Sequence, residues 1–508
     1  MFAANRRRFL QTTTAAAAAA GISQLDFLAK LPRVSAQEAQ PDPKIVRFTS
    51  DIEPLVRLIE DTPRNRLLEE VAGRIQKGTS YREVVAALLL AGVRNIQPRP
   101  SVGFKFHAVL VVNSAHLASI SSPDEHRWLP IFWALDGFKS SQARDIEEGN
   151  WTMGPVNEAR VPTAAQARQR FTDAMDRWDE ADADAAIAGL ARTTGSNELF
   201  DIFARYGCRD FRSIGHKAIY VANAWRTLNC VGWQYAEPVL RSLAYALLNH
   251  EGTGNPAESD FDADRPGRDN VARVKKFRDD WLAGKTDDAA TRELMQTIYG
   301  GSSSELCDQI VEVINRGVSP QSVWDALLCG SGELLMRQPG IVGLHTLTTT
   351  NAMRYAFEAC GDDETRRMLL LQNAAFLPLF RAGMNGRGAV GEQKVEALTP
   401  AEIPTDAPAA LDAIFADVSG KRMQAAQKTL AYARANPDPQ DFITRARTLI
   451  FLKGRDSHDY KFSSAVLEDF AHVSPGWRDK FLATSVFNLK GSSEGDNPLV
   501  ERTRAALA

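Results

Sequence analysis

Two stretches of this chain read alike: LLEEVAGRIQKGTSYREVVAALL from Leu67 to Leu89, and LCDQIVEVINRGVSPQSVWDALL from Leu306 to Leu328. Ile75 answers Ile314, Gly78 answers Gly317, Ser80 answers Ser319, Val84 answers Val323, and Ala87-Leu88-Leu89 answers Ala326-Leu327-Leu328. In each, apolar residues at helical spacing stop at a glycine and resume after a serine. That pattern predicts a helix, a tight turn and a second helix started by the serine. Both stretches run on into a glycine and then a histidine, His107 in one and His345 in the other. An acidic turn follows each, ending at Glu125 and at Glu364.

A weaker match continues the pattern. AAIAGLARTTGSNELFDIF precedes His216 and QAAQKTLAYARANPDPQDFI precedes His458, with Leu190-Ala191 answering Leu430-Ala431. Both pairs of histidines are therefore about 240 residues apart, one long period rather than a solenoid repeat. We expect two homologous halves, 37–290 and 291–508, related by a pseudo-two-fold axis and packed into one compact unit. The fold class expected is all-α. Helical spacing covers most of the chain, including Phe106–Ser119, Lys217–Leu228, Asn270–Ala283, Thr346–Cys360 and Tyr460–Ala471, and no β-alternation bounded by hairpin turns occurs. Ala143–Thr163, His250–Arg268 and Arg381–Ala407 read as long loops, candidates for a lid or for plain surface insertions.

The N-terminus reads as an address. Asn5-Arg6-Arg7-Arg8-Phe9-Leu10-Gln11 fits the twin-arginine export pattern, an alanine run covers Ala15 to Ala20, and Val34-Ser35-Ala36 offers a cleavage site. Residues 1–36 are thus expected to be a signal peptide and the mature protein to be periplasmic or exported. No later stretch is long and apolar enough to span a membrane. A formal net charge of -3 gives no reason to expect nucleic acid or an anionic membrane as partner. The five cysteines form no C-x-x-C pair and read as buried, inert thiols.

The chain has eight histidines, and four of them open similar helical stretches: GFKFHAVLVVNSA, SIGHKAIYVANAWR, IVGLHTLTTTNAMR and RDSHDYKFSSAV. Imidazoles on facing helices are how a helical protein gathers a metal site from distant sequence. The competing reading is four core histidines, each satisfied within its own helix. Asn113, Asn223, Thr348 and Asn351 follow the histidines by one or two turns, placed to hold the second ring nitrogens or to bridge helices. Arg226 and Arg354 occupy matching positions and read as helix ties through carboxylates. Lys461 lies three residues after His458. It is either an exposed, snorkelling amine or a carbamate made with carbon dioxide, an anionic oxygen ligand.

In order and wording these motifs resemble the questin oxidase-like family: an early histidine (His107), H-x(6)-N-A-x-R (His216, Asn223, Arg226), H-x-x-T-x(3)-A-x-R (His345, Thr348, Arg354) and H-x-x-K-F (His458, Lys461). The resemblance implies an all-helical oxygenase acting on anthraquinone-type rings. It also implies a mononuclear non-haem Fe(II) held by His107, His216, His345, His458 and a carboxylated Lys461. Asn113 stands where an acidic residue is more usual. The leading expectation is a metal-dependent oxygenase that takes an aromatic or quinone-like small molecule and dioxygen. A metal-dependent hydrolase and a non-catalytic helical binding or scaffold protein are the alternatives. Nothing supports a dinucleotide, flavin or c-type haem.

Overall fold

A computed structural model of the chain describes residues 44–99, 104–248 and 254–508. The twin-arginine segment and its cleavage site lie outside the described residues. Within them the fold is all-α, and the one β pairing is an isolated bridge between Lys285 and Val318. None of the described helices is long and apolar enough to cross a membrane.

The two matching stretches fold alike. Arg64–Gln76 and Ser303–Asn315 are helices that end near Gly78 and Gly317, whose φ angles are 101° and 96°. Only glycine enters that left-handed region without steric cost, so both turns need it. The next helices, Tyr81–Asn95 and Pro320–Arg337, start at Ser80 and Ser319, each hydroxyl accepting a backbone N–H of the first turn. Almost every residue from Val84 to Arg94 and from Ser322 to Met336 is buried. These two helices back the centre of the molecule.

At that centre stand the four histidine-bearing segments: His107–Leu110 continuing as Val112–Ile120, then His216–Val231, Ile341–Ala359 and Ser457–Asp469. Each packs against two of the others in a closed ring, in the order of their histidines: 107, 216, 345, 458 and back to 107. All four run the same way. Their histidines meet near the N-terminal ends, and Asn113, Asn223, Asn351 and Ser464, six or seven residues further on, line one common cavity.

Several expectations are corrected. Leu129–Glu147 is a 19-residue helix with no counterpart in the helical stretches expected from spacing, and it takes the first residues of the expected loop Ala143–Thr163. Its first half, LPIFWAL, is buried all round, so no polar face marks a helical period. The expected helix Asn270–Ala283 is instead Arg265–Arg273 and a short 3₁₀ turn to Lys276. Beyond it the chain is drawn against the Gly317 turn, where Lys285 pairs with Val318 and a Cβ on Gly284 would lie 2.3 Å from the Val318 carbonyl carbon. Tertiary contact overrides local helical preference there. Arg381–Ala407 begins in a helix that runs to Met384, and its remainder is tied down by buried Val395, whose N–H donates to Glu333 at 2.8 Å. Part of His250–Arg268 lies outside the described residues, and helix resumes at Arg265.

Candidate metal centre

The four imidazoles converge. Ring centroids lie 4.9 Å apart for His107–His216, 4.9 Å for His216–His345, 5.3 Å for His345–His458 and 4.9 Å for His458–His107. The four rings form a closed circuit in which residues about 240 positions apart alternate rather than adjoin. A two-fold axis through its middle would generate that order. Three of the four, His107, His345 and His458, can place one ring nitrogen each so that all lie within 4.8 Å of one another. His216 stands outside that triad but brings its Nε2 to 3.0 Å from His345 Nε2. We count it in the centre because two nitrogens ligating one ion at right angles, each about 2.1 Å away, are about 3 Å apart.

Local structure aims each ring. His345 Nδ1 lies 2.7 Å from the carbonyl oxygen of Ile341, one turn back on its own helix. A carbonyl only accepts, so Nδ1 carries the proton and Nε2 keeps its lone pair turned toward the centre. Burial, then the nearby Lys461 charge, holds the His345 imidazole well below its ordinary pKa, and it stays neutral. His458 sits in the first turn of a helix capped by Asp456, which accepts the His458 and Asp459 N–H groups. The same carboxylate approaches His458 Nδ1 at 3.4 Å. Behind it, Tyr460 stacks on Trp133 with centroids 4.2 Å apart.

His216 follows Ile214 and Gly215, both left-handed at φ 50° and 80°. That turn is braced by two buried ion pairs, Lys217–Asp210 at 2.8 Å and Arg212–Asp264 at 2.7 Å. His107 follows Lys105, whose buried ammonium is 2.8 Å from Asp145. Asp145 also accepts the N–H groups of Gln97 and Trp151, so it ties three segments together behind the histidine.

Lys461 is buried, not snorkelling; its residue is 3% exposed and its Nζ has no hydrogen-bond partner. Desolvation brings its pKa down to about 7, against an opposing pull from Asp456. The amine is thus buried and unpaired three residues after His458, and its charge acts on His345.

The four residues expected to hold the histidines do other work. Asn113 Nδ2 donates to Asn223 Oδ1 at 3.3 Å, and Asn223 Nδ2 to the Leu110 carbonyl at 2.9 Å. Asn351 Nδ2 donates to Glu468 at 2.8 Å and Asp469 at 2.9 Å. The Thr348 hydroxyl has no hydrogen-bond partner. For His345 the expectation is thus corrected: its own backbone turn supplies the partner. A helix offers a carbonyl to a ring four residues on, which amide spacing does not reveal.

Asn113, Asn223, Thr348 and Asn351 line a narrow cavity of about 20 Å³ together with Lys461 and Arg226. Arg226 ties the His216 helix to Glu468 at 2.9 Å, as expected, whereas Arg354 pairs with Glu358 on its own helix at 2.7 Å. Asp456, Glu468 and Asp145 were not singled out from sequence. Only Asp456 carried a signal, the D-x-x-D capping pattern ahead of an apolar run. Four of the cysteines are buried as expected, and Cys230 is half-buried with its Sγ 3.8 Å from His116 Nδ1.

The donor set suits a divalent transition ion: convergent imidazoles, one shown with its lone pair inward, and a partnerless amine alongside. Compared with models of known protein families, with curated proteins and with solved structures, the chain matches none.

Proposed function

We propose that this chain is a metal-dependent oxygenase whose centre is His107, His216, His345 and His458, completed by a carboxylated Lys461. The observation that carries the reading is the closed circuit of four imidazoles drawn from four parallel helices nearly the whole chain apart. Four neutral ligands leave a divalent charge uncompensated, and a carbamate on Lys461 would offset part of it. Burial supports that chemistry, because only the unprotonated amine reacts with carbon dioxide and this amine sheds its proton near pH 7. The Thr348 hydroxyl, buried without a partner in the same cavity, is the donor at hand for carbamate oxygens.

These five residues would hold the ion, and Fe(II) bound by them would supply dioxygen activation. The protein's own part is to hold the rings neutral and oriented, exclude bulk water and keep the amine reactive. Resemblance to questin oxidase-like enzymes supports an aromatic or quinone-like substrate, and the twin-arginine pattern supports action after export. Metal analysis and oxygen uptake test the proposal. Stoichiometric iron with dioxygen consumption on quinones or phenols is expected. Metal with hydrolysis but no oxygen uptake points to a hydrolase, and protein without transition metal after native expression removes the enzyme reading.

A further inference from the structure

The cavity beside Lys461 has features that metal ligation alone does not require. Three of its polar atoms, Lys461 Nζ, Thr348 Oγ1 and Asn113 Oδ1, have no hydrogen-bond partner. Their residues are 3%, 4% and 1% exposed. A buried polar group left unpaired costs about 1–3 kcal/mol, so the two that can donate, Lys461 Nζ and Thr348 Oγ1, call for an occupant that accepts from them, whereas Asn113 Oδ1 only accepts. Four of the twelve lining residues are apolar, Leu117, Ile219, Ala352 and Ala465; the rest, Ser114 and Ser464 among them, are polar. Arg226 also borders the cavity, its guanidinium 2.9 Å from Glu468, 3.3 Å from Asn351 Oδ1 and 4.2 Å from the Tyr355 ring centroid. The side chains of that ion pair are 12% and 31% exposed, so this is the end nearest solvent. Free space inside is water-sized, too narrow for an aromatic ring.

We propose that this cavity is the access chamber for a small linear, uncharged molecule, carbon dioxide bound for Lys461, closed outward by the Arg226–Glu468 pair. The assignment of that ligand rests on the function proposed above. Two unpaired donors, Lys461 Nζ and Thr348 Oγ1, beside the apolar side chains of Leu117, Ile219, Ala352 and Ala465 suit a small molecule with weakly accepting ends. At Lys461 the Nζ lone pair forms an N–C bond to the carbon of carbon dioxide. One C=O pair moves onto oxygen, and the amine proton leaves to water at the Arg226 end. A bulky organic substrate has to reach the histidines by another side.

Cyanate tests the chamber, because its acid form has the shape of carbon dioxide and converts an amine to a stable carbamoyl group. The full chain is dialysed against chelator in buffer free of carbon dioxide, treated with cyanate, and labelling of Lys461 is timed by peptide mass spectrometry. Lys461 is expected to label, about tenfold more slowly in Ala465→Leu and about tenfold faster in Arg226→Ala, changes of one decade in barrier-limited access. Phenyl isocyanate should label surface lysines and spare Lys461. Ala352→Leu plugs the same bore from the His345 helix and serves if Ala465→Leu melts early. Labelling of the folded plug variant at the wild-type rate, or labelling of Lys461 by the bulky reagent as fast as by cyanate, overturns the chamber. Failure of the metal reading is separate: wild type would then hold no metal while its labelling still responded to the plug.

Discussion

Replacing Lys461 by methionine separates what this residue costs the fold from what it gives a bound metal. The amine is fully buried and its pKa falls from 10.5 to about 7. In the unfolded chain it keeps its proton up to about pH 10.5. Near pH 7 each tenfold loss of proton affinity on burial costs about 1.4 kcal/mol, on the order of 5 kcal/mol in all. Methionine has similar reach, carries no charge, and removes no hydrogen bond, since Nζ makes none. Without metal and carbon dioxide, Lys461→Met should therefore be more stable than wild type at pH 7 by a few kcal/mol. Between pH 7 and 10.5 the unfolded state holds more protons than the folded one, so wild-type stability gains up to about 1.4 kcal/mol per pH unit from this group. The advantage of the variant should accordingly shrink as pH rises. Denaturant unfolding of both proteins at pH 7, 8 and 9 reads the difference, in which other titrating groups cancel. Added metal should narrow the gap, stabilising wild type by about 2.7 kcal/mol at a hundredfold excess over Kd and the variant much less. A variant less stable than wild type without metal, or a gap that does not narrow with pH, would refute the reasoning.

Three further outcomes are expected. His216→Ala and His345→Ala should each lose stoichiometric metal while keeping their helical circular dichroism; full metal retention by both dissolves the proposed centre. Gly215→Ala places a Cβ 2.0 Å from Thr349 Oγ1 at φ 80° and should cost at least about 1–3 kcal/mol with weakened metal affinity, read by melting and metal titration; an unchanged affinity would mean the turn does not aim His216. Asp469 is buried with its Oδ2 unpartnered, and burial raises its pKa well above the carboxylate range. The folded state then keeps a proton that the unfolded chain releases above about pH 4, so this residue costs more stability as pH rises. Asp469→Asn should gain more at pH 7 than at pH 5 in paired melts, and equal gains would contradict the assignment.

The histidines were legible as candidates because metal sites use few residue types and because the four stand in similar stretches of sequence. Lys461 was legible as a neighbour of His458, but sequence left open whether its amine reached solvent; only packing buried it. The offsets of Asn113, Asn223, Thr348 and Asn351 put them on the right faces. Yet those offsets suggested support for the rings, whereas the side chains turn to each other, to Glu468 and Asp469, or to the cavity. A helical face has several neighbours, and spacing along one helix does not say which of them a side chain meets. Leu129–Glu147 was missed for the opposite reason: a helix buried on every side has no polar face for periodicity to show, although its Asp145 anchors Lys105 ahead of His107.

By itself the sequence determined the local part: helices from apolar spacing, turns at Gly78 and Gly317, caps at Ser80 and Ser319, and a histidine near the start of four similar segments. These depend on residues within a few positions of one another, where backbone sterics and one-turn hydrogen bonds decide. The tertiary structure alone decided that the four helices run parallel, that their rings close into a circuit, and that Lys461 shares a narrow cavity with Thr348 and Asn113. Those relations join residues more than a hundred positions apart. They are set by how buried faces pack together, a many-body outcome that no short window of sequence contains.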